Sequence, residues 1–228
     1  YLTNDLRELE KSGYIKMLVT TVEEIFPEKT DTRRVEFWKD LGKQKIDSML
    51  VWDEEIGDFK QEYIYSEYAF INKWNKPYYS TDQTVIEHLG GVAPLLVMEG
   101  DRVVWRLADL ILLRAECRAR LKMATAKDDL DVIRERAGLG KYAGSGTADM
   151  EELRKEIFHE RERELFGEGQ RYYDIVRNGY FRDELSAAYK SLTDADVKDG
   201  ALYLPVARNS FEKNTLLKQN NYWLWHQQ

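Results

Sequence analysis

A single cysteine, Cys117, stands among 228 residues, which excludes an internal disulfide framework and any multi-cysteine zinc site. It falls within a helical pattern and has no evident base partner, so it reads as a packing residue rather than a nucleophile. Histidines are equally scarce: His88, His159 and His226 fit no metal-ligand spacing. Basic charge is in deficit, with 34 Lys and Arg against 41 Asp and Glu, a net of −7. No segment forms the basic patch that would displace counterions from phosphates, so no nucleic-acid partner is expected. No apolar run approaches the ~20 residues of a membrane-spanning helix. A signal-peptide pattern is missing too, and the chain opens at Tyr1 without a methionine, as expected of a processed form or a fragment. Localisation therefore cannot be read from a targeting segment.

Proline is rare and unevenly placed. Only Pro27, Pro77, Pro94 and Pro205 occur, and the long interval between the last two suits a block of packed helices. Trp105–Met123 is apolar around much of a helical circumference, as in a helix sandwiched between neighbours. Thr125 with Asp128 resembles a capping box that opens a second helix through Ala137, with Leu130, Ile133 and Ala137 facing inward. Gly138–Gly146 reads as a loop. Asp149 followed by Glu152 signals a third helix to about Phe166, ended by Gly167 and Gly169. A turn-rich stretch, Arg171–Arg177, and a short amphipathic helix, Phe181–Leu192, are expected next. Ahead of Pro94, Asp5–Glu10 and Gly13–Ile25 read as helices. Ile46–Trp52, Tyr63–Phe70 and, later, Leu202–Leu204 read as short strands. The paired helices after Pro94 look like one helix-turn-helix unit, with no second convincing copy in the chain.

The most informative segment is Leu153–Arg177. On a helix, Leu153, Ile157, Glu160 and Glu164 share roughly a 60° arc, which places two carboxylates on the apolar stripe. Buried carboxylates must be paired or protonated, and Arg134, Arg136, Arg163 and Arg171 are the candidate partners. Two readings compete: a catalytic acid/base pair, as in a glycoside hydrolase, or an ion-pair network that locks helices together. Residues at i and i+4 point the same way, whereas glycosidase carboxylates flank a scissile bond from separate elements, so the geometry favours the network. His159-Glu160 lacks the second histidine of a zincin helix. The loop GLGKYAGSG follows a helix and has Tyr142 where a phosphate loop needs Ser or Thr, and no nucleophile elbow is present. No cofactor and no catalytic residue are expected.

Aromatic residues are plentiful: six Trp, 14 Tyr and eight Phe, half of them before Pro94. Aromatic faces with polar rims are what neutral sugars stack on, yet the same residues serve as core. The candidate ligand-binding residues are Trp38, Trp52, Trp74, Tyr78 and Tyr79. Trp74 and Tyr78–Tyr79, beside Asn72, Asn75 and Pro77, read as a loop.

Four blocks occur in a fixed order. The first is Arg106–Leu112 (RLADLIL) with the Ala115–Glu116 step. The second is Arg134–Leu139 (RERAGL), and the third is Glu160–Arg177 (ERERELFGEGQRYYDIVR). The last is the Leu204-Pro205-Val206 turn with Asn214–Asn220. Together they resemble the C-terminal region of the SusD/RagB family, nutrient-binding outer-membrane lipoproteins. Ala207 stands where that turn usually carries a second proline, and Leu107 where an aromatic is common.

The resemblance implies a mainly α fold of tetratricopeptide-like helix pairs, the SusD-like α/α superhelix, with irregular loops and a few short strands. It implies an aromatic-rich middle region over 1–95 and the family's C-terminal region over 96–228. The N-terminal part, with its lipid anchor, is expected to lie outside this chain. It also implies a protein on the extracellular face of the outer membrane that captures oligosaccharide or polysaccharide and passes it to a SusC-like TonB-dependent transporter, without enzymatic activity. A peptide-binding branch of the same family and a helical-repeat scaffold for protein contacts are the alternatives.

Overall fold

The computed structural model describes residues 16–73, 77–90, 95–98, 103–214 and 216–226. Helices dominate, with a few strands gathered before residue 100. The chain divides into two compact units, Tyr1–Glu168 and Gly169–Gln228. The first carries β1 (Lys16–Leu18), α1 (Val19–Ile25), α2 (Arg33–Glu36), β2 (Trp38–Lys39), β3 (Lys45–Asp53), β4 (Asp58–Tyr65) and β5 (Tyr68–Ile71). It continues with β6 (Pro77–Ser80), α3 (Gln83–Leu89), β7 (Leu95–Met98), α4 (Leu107–Arg120), α5 (Ala126–Arg136) and α6 (Met150–Glu164).

α4, α5 and α6 enclose one core, made of Ala108, Leu112, Ala115 and Ala119 from α4, Ala126, Leu130 and Ile133 from α5, and Leu153 and Ile157 from α6. Ala108, Leu112, Ala115 and Ala119 recur about one helical turn apart, so mostly small residues line the face that α4 turns toward its neighbours. α6 starts where expected, because the Asp149 carboxylate accepts from the backbone N–H groups of Glu151 and Glu152 at 3.0 and 2.9 Å. α5 does not form the expected capping box. Thr125 is itself helical and makes no side-chain cap, and the Ala126 N–H bonds back to the Met123 carbonyl instead. The end of α5 explains the glycine of the second block. Gly138 has φ +77°, and the Leu139 N–H returns to the Arg134 carbonyl at 2.9 Å. A Cβ at Gly138 would sit 3.1 Å from the Thr30 carbonyl oxygen.

A second cluster, Val22, Phe26, Phe37, Trp38 and Ala69, packs beside Phe166 under the antiparallel sheet β1-β5-β2. This changes the expected helix over Gly13–Ile25. Lys16–Leu18 pairs with β5 as an outer strand and the helix begins at Val19, while the segment Asp5–Glu10 lies outside the described residues. The strand expected over Tyr63–Phe70 is broken into β4 and β5. Ser66 turns the chain there: its N–H bonds to the Gln44 carbonyl at 2.8 Å and its hydroxyl accepts from the Tyr68 N–H at 3.0 Å.

The second unit holds α7 (Arg171–Asn178), α8 (Phe181–Glu184), α9 (Ala187–Lys190), α10 (Asp194–Lys198), α11 (Arg208–Lys213) and α12 (Asn221–Trp225). Arg171–Arg177 is thus helical rather than turn-rich. The helix expected over Phe181–Leu192 splits where Leu185 and Ser186 take extended backbone. Leu202–Leu204 forms no strand; its carbonyls go to side chains, the Leu202 oxygen to the Tyr172 hydroxyl at 2.5 Å and the Tyr203 oxygen to Trp223 Nε1 at 2.6 Å. Gln219 of the last block clamps the turn. Its Oε1 accepts from the Val206 N–H at 3.0 Å and its Nε2 donates to the Val206 carbonyl at 3.1 Å.

Candidate functional site

β3 and β4 form an antiparallel hairpin whose residues are almost all exposed. Its loop is held by Asp53, whose carboxylate accepts from the Glu55 N–H at 3.0 Å, and by Gly57, whose N–H reaches the Asp53 carbonyl at 2.9 Å. The base is anchored by the buried Gln44, which receives the Ser66 N–H on its carbonyl and donates from Nε2 to the Lys39 carbonyl at 2.6 Å. Directly paired residues lie on the same face of a ribbon. One face therefore carries the rungs Trp52–Phe59, Leu50–Gln61, Ser48–Tyr63 and Lys45–Tyr65, the last kept in phase by a register shift between Lys45 and Asp47. The other face carries Asp53–Asp58, Val51–Lys60, Met49–Glu62 and Asp47–Ile64, with at least one charge on every rung.

The first face is aromatic and open. Trp52 and Phe59 are 53% and 59% exposed and meet edge to face at 5.3 Å. Tyr63 and Tyr65 are also exposed, and Lys45 Nζ sits 3.4 Å from the centre of the Tyr63 ring. Ser48 and Gln61 contribute hydrogen-bonding groups between the rings and bond to each other at 3.0 Å. An isolated two-stranded ribbon is marginal in water, and contiguous exposed apolar surface is uncommon on proteins away from the places where they meet ligands or other surfaces.

The structure separates the expected ligand residues. Trp52 lies at the head of this face. Trp38 does not reach solvent: it is 1% exposed and its ring packs against Phe26 and Phe166, with centroids 6.4 and 4.9 Å away. A ring closed in on both sides offers no surface for stacking, so Trp38 belongs to the core. Tyr78 and Tyr79 sit on strand β6, paired with Val97 and Leu96 of β7, rather than on a loop. Trp74 lies outside the described residues. Phe59, Tyr63 and Tyr65 complete the face with Trp52, and the alternation F-K-Q-E-Y-I-Y over 59–65 is the sequence signal that marks them.

Glu160 and Glu164 are 0% and 1% exposed and fully engaged. Glu160 accepts from Arg33 at 2.8 Å and from Arg163 at 2.7 and 3.1 Å, with Arg134 at 3.8 Å. Glu164 binds Arg33 at 3.2 Å, Arg106 at 2.5 Å and Arg136. Of the expected partners, Arg171 pairs with Glu184 instead, while Arg33 is a partner that no local pattern announces. The network links the sequence blocks to one another. Arg106 of the first block also holds Glu168 of the third at 2.9 Å, and Asp109 of the first pairs with Arg161 of the third at 2.8 Å. Arg106 and Lys73 both donate to the Glu164 carbonyl, at 2.6 and 3.1 Å, where α6 leaves backbone oxygens without helical partners. A cleft of about 460 Å³ opens here, lined by Arg33, Phe37, Lys73, Arg106, Arg136 and Glu164 among others. Each of its cations already holds a carboxylate, and lone pairs committed to arginines leave neither glutamate free to act as acid or nucleophile.

Burial disfavours the charged form of Glu164, but hydrogen bonds and charge from Arg106 and Arg136 outweigh it and hold the carboxyl below its ordinary value of 4.5. Glu168 behaves alike, with Arg106 and Lys73 overcoming its desolvation. Burial lowers the pKa of Lys73 despite the adjacent Glu168. A carboxyl depressed in the folded state contributes stability that is complete above its unfolded pKa and lost as pH falls through the folded value. Thermal unfolding is therefore expected to be insensitive to these two groups above about pH 5 and to weaken steadily below about pH 4.5. A Glu164→Gln variant, already destabilised, shows a flatter melting-temperature profile over that acid range; an unchanged slope contradicts the assignment.

The sequence model of the SusD family matches residues 52–223, which takes in the hairpin from Trp52 onward and all four blocks. The chain belongs to the SusD family. A SusD-like protein of Formosa agariphila is 30% identical over 125 residues, covering 53% of this chain and 24% of that protein. A SusD homologue of Bacteroides thetaiotaomicron superposes with a TM-score of 0.62 at 27% identity, covering 90% of this chain and 38% of its own. A surface glycan-binding protein of Bacteroides uniformis shares the fold at a TM-score of 0.50 and 22% identity, covering 87% of this chain and 40% of its own. The chain thus spans less than half the length of each of these three proteins. These SusD neighbours agree with the helical, tetratricopeptide-like architecture. Glycan binding is supported at the level of the SusD family. Among the described residues, no helix is long and apolar enough to cross a membrane.

Proposed function

We propose that this chain is the glycan-contacting part of a cell-surface nutrient-binding protein, held at the outer membrane by a lipid anchor elsewhere in the protein. Oligosaccharide is captured by stacking and hydrogen bonding, with no covalent step, and passed to a SusC-like TonB-dependent transporter. The observation that carries this reading is the exposed face built on Trp52, Phe59, Tyr63 and Tyr65, in a chain of the SusD family. Its composition supports sugar binding, because ring faces cover the apolar C–H surface of a pyranose while Ser48, Gln61 and the tyrosine hydroxyls meet its hydroxyl groups. The buried carboxylates support binding over hydrolysis, since both are consumed in ion pairs.

Delivery has its own test. Affinity purification of the complete protein from mild-detergent extracts of its native outer membrane is expected to recover a TonB-dependent transporter in near-equal amount. Recovery without any transporter overturns the delivery step and leaves the glycan site to be judged by the experiments below.

A further inference from the structure

The hairpin face has a length and a charge setting that narrow the ligand further. From the Trp52–Phe59 rung to Tyr65 is six residues of β4, about 20 Å at strand spacing. Four rungs are presented in line, with rings at both ends and Leu50, Gln61, Ser48 and Tyr63 between them. A monosaccharide site would instead need walls that close around one ring, and both faces of this ribbon are open. The charge around the face is predominantly negative. Residues 45–65 hold two lysines, Lys45 and Lys60, against six carboxylates: Asp47, Asp53, Glu54, Glu55, Asp58 and Glu62. Lys45 is the cation on the aromatic face, and its ammonium is turned onto the Tyr63 ring.

Resting on the glycan reading above, we infer that the ribbon binds the interior of an extended, uncharged polysaccharide chain, and discriminates against uronate-bearing or sulfated polymers. Rings at the two ends anchor the chain by stacking, and the Ser48–Gln61 pair between them supplies hydrogen bonds. The surrounding carboxylates repel an anionic polymer, an effect that is strongest at low ionic strength and screened within a Debye length of ~8 Å in physiological salt. A carbohydrate occupant is favoured over a protein one because polar groups are interleaved with the rings rather than confined to a rim.

The test is calorimetry with the complete protein and defined probes. Size-graded β-glucan, xylan and mannan oligosaccharides report on length, and polygalacturonate and chondroitin sulfate report on charge. For the neutral series that binds, affinity is expected to rise about tenfold or more from disaccharide to roughly tetrasaccharide and then level off, as the second stacking rung is reached. The acidic polymers are expected to bind at least about tenfold more weakly at low salt, the gap closing as salt rises. Tyr65→Ala is expected to weaken the longer ligands by a larger factor than the disaccharide. A disaccharide as tight as the polymer, or an acidic polymer tighter than a neutral one, overturns this inference and leaves the glycan reading standing. Absence of binding by any glycan, including when a protein occupant covers the ribbon, overturns both.

Discussion

A Glu160→Gln variant loses about 3 kcal/mol of folding stability, because two buried arginines lose their shared counter-charge, Arg33 keeping only Asp31 and Glu164 and Arg163 only Glu156. Arg33 is 2% exposed and Arg163 is 8% exposed, and both donate to the Glu160 carboxylate, at 2.8 and 2.7 Å. A neutral amide accepts with one oxygen, and its NH2 group must face a guanidinium, so one contact turns from attractive to repulsive. The change in volume is negligible, which keeps packing constant and isolates the charge. For a chain of this size the loss corresponds to a melting temperature lower by on the order of 10 °C. Urea unfolding followed by far-ultraviolet circular dichroism gives the free energy directly. A loss below about 0.5 kcal/mol, within the range of ordinary surface substitutions, contradicts the network. Under a hydrolase reading the same substitution abolishes turnover and leaves stability untouched, so one variant separates the two roles.

Trp52→Ala produces the opposite pattern. Aromatic anchors of a binding face are worth about 2 kcal/mol or more when truncated, so glycan affinity falls roughly 30-fold. Stability stays nearly constant, because the ring is 53% exposed and its recorded ring contact is with Phe59, itself on the surface. Trp38→Ala is the matched control. That side chain is 1% exposed within the Phe26–Phe37–Phe166 cluster, and its removal costs about 3–5 kcal/mol of stability. Affinity gel electrophoresis and thermal melts on the two variants distinguish binding from packing. If Trp52→Ala retains its affinity, the aromatic face is not the site.

The contrast between these two tryptophans shows what a sequence can and cannot disclose. Both lie in an aromatic-rich stretch, and composition alone treats them alike. The difference arises from where β2 and β3 fall: Trp38 pairs with Ile71 inside the β1-β5-β2 sheet, while Trp52 lies near the tip of a ribbon that leaves the core. Tyr63 and Tyr65 were legible through partial alternation and Phe59 only once β4 was extended back to Asp58, but alternation does not say whether the aromatic face meets protein or water. Local chemistry read correctly where it acts locally. Asp149 caps α6, and the stripe of Leu153, Ile157, Glu160 and Glu164 turns inward as its spacing requires. The need for arginine partners was equally legible, yet the one that binds both glutamates, Arg33, lies 127 residues before Glu160. Only the tertiary fold, which packs α1 against α6 and carries Arg33 in behind it, brings it there. Leu202–Leu204 misled for a related reason: β-favouring residues without a neighbouring strand have their carbonyls taken by side chains instead.

Hydrogen–deuterium exchange of the complete protein, with and without a saturating neutral polysaccharide, tests the central claim most directly. The account predicts slowed exchange concentrated in residues 45–65, strongest in β4, and absent in the Trp52→Ala variant. Protection that falls elsewhere in the chain, with the hairpin unchanged, contradicts it.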